Sequence, residues 1–420
     1  MRDTIKQRIE QVRRGEVPKG YQRNKSFISP NDWELLPLNT VLFENKERNF
    51  NKKYSKGDVL SVSGESGVVN QIVFMGRSYA GASVDNYHVV ETGDLVYTKS
   101  PLKENPYGII KLNCGNPGIV STLYAVYHCQ KPYTAQYLNQ YFCIDRYLNN
   151  YLKPLVKRGA KNDIKVNNDD VIRGHIAFPS DAEQQKMIKI LAQCDKVIAL
   201  KQELLEEKRK QKKWLMQKLL DSDSGVRLSN YGNDWNYKSF DEIVSLSKEK
   251  VDPQTCGTYY PCIELEHIES GTGRLLGWTD SGKQASIKTV FKSGDILFGK
   301  LRPYLRKIVK ASFDGVCSGE IWVIQLRCKD ICSDFLFYLM QGDRFIATAN
   351  TTTGTKMPRV DWSLLKDFEI GFPEYAEQTA IAKVLSTADK EIDLLKQELA
   401  AWKEKKKGLA QLLLTGLVRV

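Results

Sequence analysis

The stretch Phe178-Pro-Ser-Asp-Ala-Glu-Gln184 returns later in the chain as Phe372-Pro-Glu-Tyr-Ala-Glu-Gln378. The match runs on without a gap. Leu191, Asp195, Lys196, Ile198, Leu205, Lys212, Lys213, Leu215, Gln217 and Leu219 recur as Leu385, Asp389, Lys390, Ile392, Leu399, Lys406, Lys407, Leu409, Gln411 and Leu413. A repeat of this extent, each copy preceded by a larger block, constrains the fold more than any other feature. The chain must be built from two similar modules, and two separated modules suit a target that has two separated parts.

The repeated segment itself reads as a helix. Met187, Leu191, Cys194, Ile198, Leu205, Leu215 and Leu219 fall largely at three- and four-residue steps, the seam of a coiled coil, interrupted by Lys201, Lys208 and Lys212. Ile381, Leu385, Ala388, Ile392, Leu395, Leu399, Trp402, Leu409 and Leu413 fill the same stripe in the second copy. Each helix should run about 40 residues, roughly 60 Å at 1.5 Å per residue. An amphipathic helix of that length needs a partner, and its own copy is the nearest. An antiparallel pairing is expected, because the block between the helices can return the chain.

The two blocks, 20–178 and 225–372, share landmarks. Trp33 matches Trp235, Gly93-Asp94-Leu95 matches Gly294-Asp295-Ile296, and Gly118-Ile-Val-Ser121 matches Gly315-Val-Cys-Ser318. Arg158-Gly159-Ala160-Lys161 lies where Thr353-Gly354-Thr355-Lys356 falls. β-rich runs (Gly57–Val62, Val89–Tyr97, Gly118–Tyr127, Asp295–Phe298, Ile321–Leu326) mix with helical stretches (Ala135–Leu152, Asp334–Ala349). The expected class is α/β (α+β): two similar domains joined by two long helices in an antiparallel coiled coil, with pseudo-twofold symmetry. The expected divisions are an N-terminal helix over 1–19, a first domain over 20–178, a long helix over 179–224, a second domain over 225–372 and a long helix over 373–420.

Charge narrows the partner. The 420 residues carry a net +12, which favours a polyanion, most often nucleic acid. No apolar run reaches the ~18 residues of a membrane span, and the charged N-terminus is unlike a signal peptide. The reading is therefore a cytoplasmic protein. The nine cysteines are scattered and odd in number, which argues for free thiols. Cys328 and Cys332 lack the companions a zinc set needs, so no metal is expected.

Catalytic signals fail on inspection. Gly294-Asp-Ile-Leu-Phe-Gly299-Lys300 fits the first seven positions of a phosphate-binding loop, but Leu301 replaces the Ser or Thr that would hold magnesium. Pro303 then obstructs the required helix. Asn105-Pro106-Tyr107 lacks the second proline of an amino-methyltransferase motif and reads as a turn. His88, His128, His175 and His267 form no metal-spaced or catalytic pair.

Variable block, Phe-Pro-x-x-x-Glu-Gln, long helix, and the same order again: this arrangement resembles the DNA-specificity subunit of Type I restriction–modification systems over nearly the whole chain. The resemblance implies a non-catalytic subunit of a bacterial or archaeal host-defence complex. Each block would be a target-recognition domain for one half of a bipartite double-stranded DNA site, and the coiled coil would be the ruler between them. Two modification subunits would methylate adenine with S-adenosylmethionine, and restriction subunits would cleave with ATP and magnesium. This chain itself would bind no cofactor.

Within the blocks, the basic loops after the Gly-Asp strands are the first candidates for DNA contact: Lys99 and Lys103, then Lys300, Arg302, Tyr304, Arg306 and Lys307. Such residues contact phosphates or guanine edges. Arg158, Lys161, Thr353 and Lys356 form a second set. For each, the alternative is a solvated surface charge. Two other classes stay open: a coiled-coil scaffold whose blocks bind protein, and an enzyme with an unrecognised site.

Overall fold

The computed structural model describes residues 2–24, 27–158, 164–228, 231, 234–255, 260–351 and 357–420. It divides into two compact units, Met1–Leu200 with Glu398–Val420, and Lys201–Gln397.

The first unit is built on a four-stranded antiparallel sheet in the order Leu42–Glu44, Tyr124–Cys129, Leu95–Thr98, Ile109–Leu112. Leu95, Tyr97, Ile109 and Tyr127 are almost completely buried on it, under the helices Pro132–Phe142 and Asp145–Leu152. The single helical stretch expected over 135–152 is thus two helices. Ile144 adopts an extended conformation between them. The N-terminal helix spans Arg2–Arg13, and Arg8 donates to the carbonyl oxygen of Leu417 at 3.2 Å. Strand His175–Phe178 pairs antiparallel with Glu34–Pro37, so the module closes where it began and then enters the long helix Asp181–Leu219.

The second unit repeats this plan. Its four-stranded sheet runs Val244–Leu246, Ile321–Leu326, Ile296–Gly299, Ile308–Lys310, the same order as in the first. Asn236–Ser239 pairs with Glu369–Phe372 to close the module ahead of the long helix Tyr375–Leu414. The helical stretch expected over 334–349 is again two helices, Ser333–Gln341 and Asp343–Ala349. They are divided at Gly342, whose ψ of 155° is extended.

The repeated landmarks have structural reasons. Gly93 and Gly294 both sit at φ +97°, a conformation that favours glycine. The following aspartates close the same turn: Asp94 accepts from the Glu91 amide and Asp295 from the Lys292 amide, each at 2.9 Å. In Phe-Pro-x-x-x-Glu-Gln, the glutamine folds back on the proline carbonyl, Gln184 onto Pro179 at 3.0 Å and Gln378 onto Pro373 at 2.9 Å. The glutamate is a buried anchor. Glu183 holds Arg419 through both oxygens, at 2.6 and 2.8 Å, and Glu377 holds Arg227 in the same two-pronged way. Each arginine also lies over the module's entry tryptophan, Arg419 on Trp33 and Arg227 on Trp235.

In both units the long-helix segments run antiparallel. In the first, Met187 and Leu191 share a core with Leu413 and Leu414, while Asp195 meets Lys406 at 2.5 Å. In the second, Leu219 shares a core with Ile381 and Leu385, while Lys212 meets Asp389 at 2.5 Å. Lys212 and Asp195 are the residues that recur as Lys406 and Asp389, so the two ion pairs are repeats of each other. Lysines that interrupt the seam in sequence thus reach across it; Lys208 likewise pairs with Glu391 at 2.8 Å. Of the seam residues, Leu191, Leu205, Leu219, Leu385, Ile392 and Leu413 are buried, and Ile198, Leu215, Leu399, Trp402 and Leu409 are half-buried. The leucines outweigh the ion pairs. Burial contributes about 1.5–3 kcal/mol per large side chain, against about 0–1 kcal/mol for a partly exposed pair.

Candidate nucleic-acid interface

The loop between strands Ile296–Gly299 and Ile308–Lys310 gathers five of the sequence candidates. The strand ends where Lys300 donates its amide to the Glu320 carbonyl oxygen at 2.8 Å. The chain then makes a short 3-10 turn over Pro303–Leu305, with Arg302 at φ +53° and Arg306 at φ +50° on either side. Among the described residues only Lys52, Arg302 and Arg306 are non-glycine residues at positive φ. The left-handed region costs an L-residue about 1–2 kcal/mol, so the loop is held in shape by its surroundings. The hold is visible. Arg302 donates its amide to the Pro358 carbonyl oxygen at 2.8 Å, and Val360 donates to the Lys300 carbonyl oxygen at 3.0 Å. Arg359 forks onto Glu320 at 3.0 and 3.2 Å and holds that carboxyl below its ordinary range.

This loop separates the candidates by what their charges do. Arg302 and Tyr304 project from it exposed, and neither side chain has a hydrogen bond or ion pair among the described residues. Lys300 is half-buried. Arg306 turns inward to the Gln341 carbonyl at 3.0 Å and the Asp343 carboxylate at 2.6 Å, lowering the pKa of Asp343. Lys307 donates to the Leu265 carbonyl at 2.6 Å. These two residues support the loop, and the structure does not bring their charges to its outer face. Strand Ile296–Gly299 leads straight into the strained turn, the strand and basic loop that the sequence suggests for 294–305.

The matching loop of the first unit, between Leu95–Thr98 and Ile109–Leu112, is braced differently. Asn105 is buried and donates to Asp145 at 2.9 Å, and Asn149 donates to the Glu104 carbonyl oxygen at 2.9 Å. Lys103 stands exposed on this loop, whereas Lys99 is half-buried and its pKa is lowered by desolvation. Arg158 ends the strand Lys157–Arg158; the placement of its side chain is not described. Lys161, Thr353 and Lys356 lie outside the described residues.

Sequence reasoning missed the contribution of Pro358–Val360, which holds the Arg302 loop from more than fifty positions away and gave no local signal. It also missed a cleft of about 540 Å³ in the second unit, lined in part by Arg209, Lys213, Arg274, Arg306, Asp343 and Asp393. Its charges are largely matched internally, as Arg274 pairs with Asp393 and Arg306 with Asp343. Among the described residues there is no group of three or more metal-ligating side chains, and no helix is long and apolar enough to cross a membrane.

Comparison with known proteins fits this architecture. Residues 232–403 match the family described as the Type I restriction modification DNA specificity domain. The chain is 30% identical over 161 residues to the Type I restriction enzyme EcoDI specificity subunit of Escherichia coli, covering 37% of this chain and 35% of that protein. It is 26% identical over 266 residues to the MjaVIII specificity subunit of Methanocaldococcus jannaschii, covering 58% of this chain and 62% of that one. The matches thus span about a third and three fifths of these relatives. Among solved structures, a chain described under complex assembly and conformational transition of the Type I R-M system aligns over 93% of this chain and 99% of its own, with TM-score 0.55 and 14% identity. The Type I S subunit of M. genitalium aligns over 93% and 97%, with TM-score 0.52 and 12% identity. Those two likenesses concern the fold, and the match to the Type I restriction modification DNA specificity domain concerns residues 232–403, most of which lie in the second unit.

Proposed function

We propose that this chain reads a bipartite site on double-stranded DNA for a Type I restriction–modification complex. Residues 20–178 and 225–372 are the two reading domains, and the helices within 179–224 and 373–420 set the distance between half-sites. The 1–19 segment docks on the helical scaffold. Two modification subunits and the restriction subunits assemble on the chain, inside the cell. S-adenosylmethionine, ATP and magnesium belong to those partners, and this chain does no chemistry of its own.

The observation that carries this reading is the recurrence of the scaffold's ion pairs around diverged surfaces. Asp195–Lys406 repeats as Asp389–Lys212, and Glu183–Arg419 repeats as Glu377–Arg227. The two loops above the matching sheets, meanwhile, have different residues and different bracing. A repeated frame with unlike tips is what reading two unlike half-sites requires. Within the second domain, Arg302 and Tyr304 are the first readers, with Lys300, Thr353 and Lys356 as further candidates. In the first, Lys103, Lys99, Arg158 and Lys161 take that place.

The test is a domain exchange. Residues 23–178 are replaced by the corresponding block of a related subunit, and methylated adenines are mapped in cells carrying the complete system. One half of the recognised sequence should change and the other should survive. Simultaneous change of both halves in a stable complex refutes the assignment.

A further inference from the structure

The short helix Gln71–Met75 inverts the usual arrangement of a surface turn. Its polar residues face the protein and its apolar residues face water. Asn70 caps the helix by accepting from the amides of Ile72 and Val73 at 3.0 and 3.2 Å. Gln71 donates to Ser61 at 3.0 Å and accepts from the Tyr79 amide at 2.6 Å. Gly76, at φ +75°, ends the turn. Held in this way, Ile72, Val73, Phe74 and Met75 are exposed in succession, and Val73 is 87% exposed. Four adjacent large apolar residues on a braced tip would cost solubility with no return unless something covers them.

Charge identifies the covering partner. The Asn70 side chain donates to the Gly57 carbonyl at 2.7 Å, which places Lys56 beside the start of the helix. Arg77 follows the tip and stacks on Tyr79 at 4.7 Å. From 45 to 80 there are six Lys or Arg residues against three Asp or Glu. An apolar tip with a basic rim fits a polyanion that has apolar surfaces inside it, which is a description of duplex DNA. The second unit carries a counterpart at the same place in the chain order. Strand Pro261–Ile263 runs parallel to Gly315–Cys317, as Val59 bridges in parallel to Ile119, and the excursion that follows exposes Leu276 and Trp278.

We infer that the Ile72–Met75 tip is an apolar wedge that the first reading domain presses into a DNA base step. Wedges of Phe, Ile, Met and similar residues partly unstack such a step and bend the duplex. The backbone bracing presents the side chains without an ordering cost at the moment of binding. The inference rests on the DNA-reading function proposed above and adds a mode of contact that the basic loops do not supply.

The experiment uses the full-length chain with its modification subunit, on duplexes carrying the site that adenine mapping assigns. 2-Aminopurine is placed in turn at each step of the half read by 20–178, other than the methylated adenine. The wild-type complex should raise fluorescence at one step. Val73→Ser with Phe74→Ser, both at exposed positions, should leave the melting temperature unchanged and remove that rise. It should weaken site binding about tenfold or more while keeping the slope of affinity against salt, since no phosphate contact is lost. Arg77→Ala should instead flatten that slope. Unchanged fluorescence and affinity in the double variant overturn the wedge alone. So does a double variant that detaches from the modification subunit with DNA contact intact, because the tip is then a protein-docking patch. A wild-type complex that binds no mapped site overturns the DNA-reading function, and the wedge with it.

Discussion

Arg227 and Arg419 perform the same task with unequal consequences. Glu377 is fully buried, and its arginine partner is only 14% exposed. Arg227→Ala would strand that carboxylate and should cost about 3 kcal/mol or more. Glu183 is buried too, at 6% exposed, but Arg419 is 38% exposed and Asp32, its second partner, 65% exposed, so water can take over part of the loss. Arg419→Ala should cost about 1–2 kcal/mol. Denaturant titration of each variant checks the order, and equal losses would contradict it. His88 supplies the pH dependence. Burial, with the Arg48 charge beside it, lowers its pKa from 6.5 to about 4. Between those values the unfolded chain binds a proton that the folded one refuses, so stability should fall as pH drops from 6.5 towards 4, by up to about 3 kcal/mol. His88→Gln should flatten that decline in a series of thermal melts. At the proposed interface, Arg302→Ala should weaken binding to the cognate site by about 1–3 kcal/mol if the side chain reads a base. The melting temperature should hold, because no side-chain bond is lost. Unchanged affinity in a titration would return Arg302 to the solvated surface.

Among the elements, the long helices show which repeated leucines matter. Leu413 is fully buried, whereas Leu394, on the same helix, is 60% exposed. Leu413→Ala should cost about 2–5 kcal/mol and Leu394→Ala less than about 0.5 kcal/mol, as read from unfolding midpoints. Leu394 repeats Leu200 as Leu413 repeats Leu219, so recurrence did not separate core from surface; the three- and four-residue step did. That periodicity made the helices and their pairing legible in the sequence. The Ile144 break was not legible, because an isoleucine has no local reason to stop a helix and extends here under tertiary packing. The Gly342 break had a visible signal in the glycine itself. The interface was half legible. Composition pointed to the Lys300–Lys307 loop. Only the folded structure brings Arg306 and Lys307 to their internal partners, since Asp343, Gln341 and Leu265 lie elsewhere in the chain. The apolar tip at Ile72–Met75 gave no signal, because four apolar residues in a row ordinarily predict a buried strand.

For the whole molecule, the spacing between half-sites is the property that the helices should control. Because the helix segments run antiparallel, a lengthened ruler needs both strands of the pair. Four residues inserted after Gln202 and four after Lys396 add roughly 6 Å to each helix. The mapped methylation site should then keep both half-sequences and change its spacer. An active, folded assembly with the old spacer would count against the ruler. The division of the chain also bears on how it is made. The second unit is a single continuous stretch, Lys201–Gln397, and contains both Glu377 and the arginine that anchors it. The first is discontinuous: it requires Glu398–Val420, the segment that contains Arg419. On the ribosome, therefore, the domain that is translated first is completed last. Its acidic anchor at Glu183 waits for an arginine 236 residues further on, while the later domain can close as soon as its own stretch emerges. A nascent chain stalled before Glu398 would carry one finished domain and one open one.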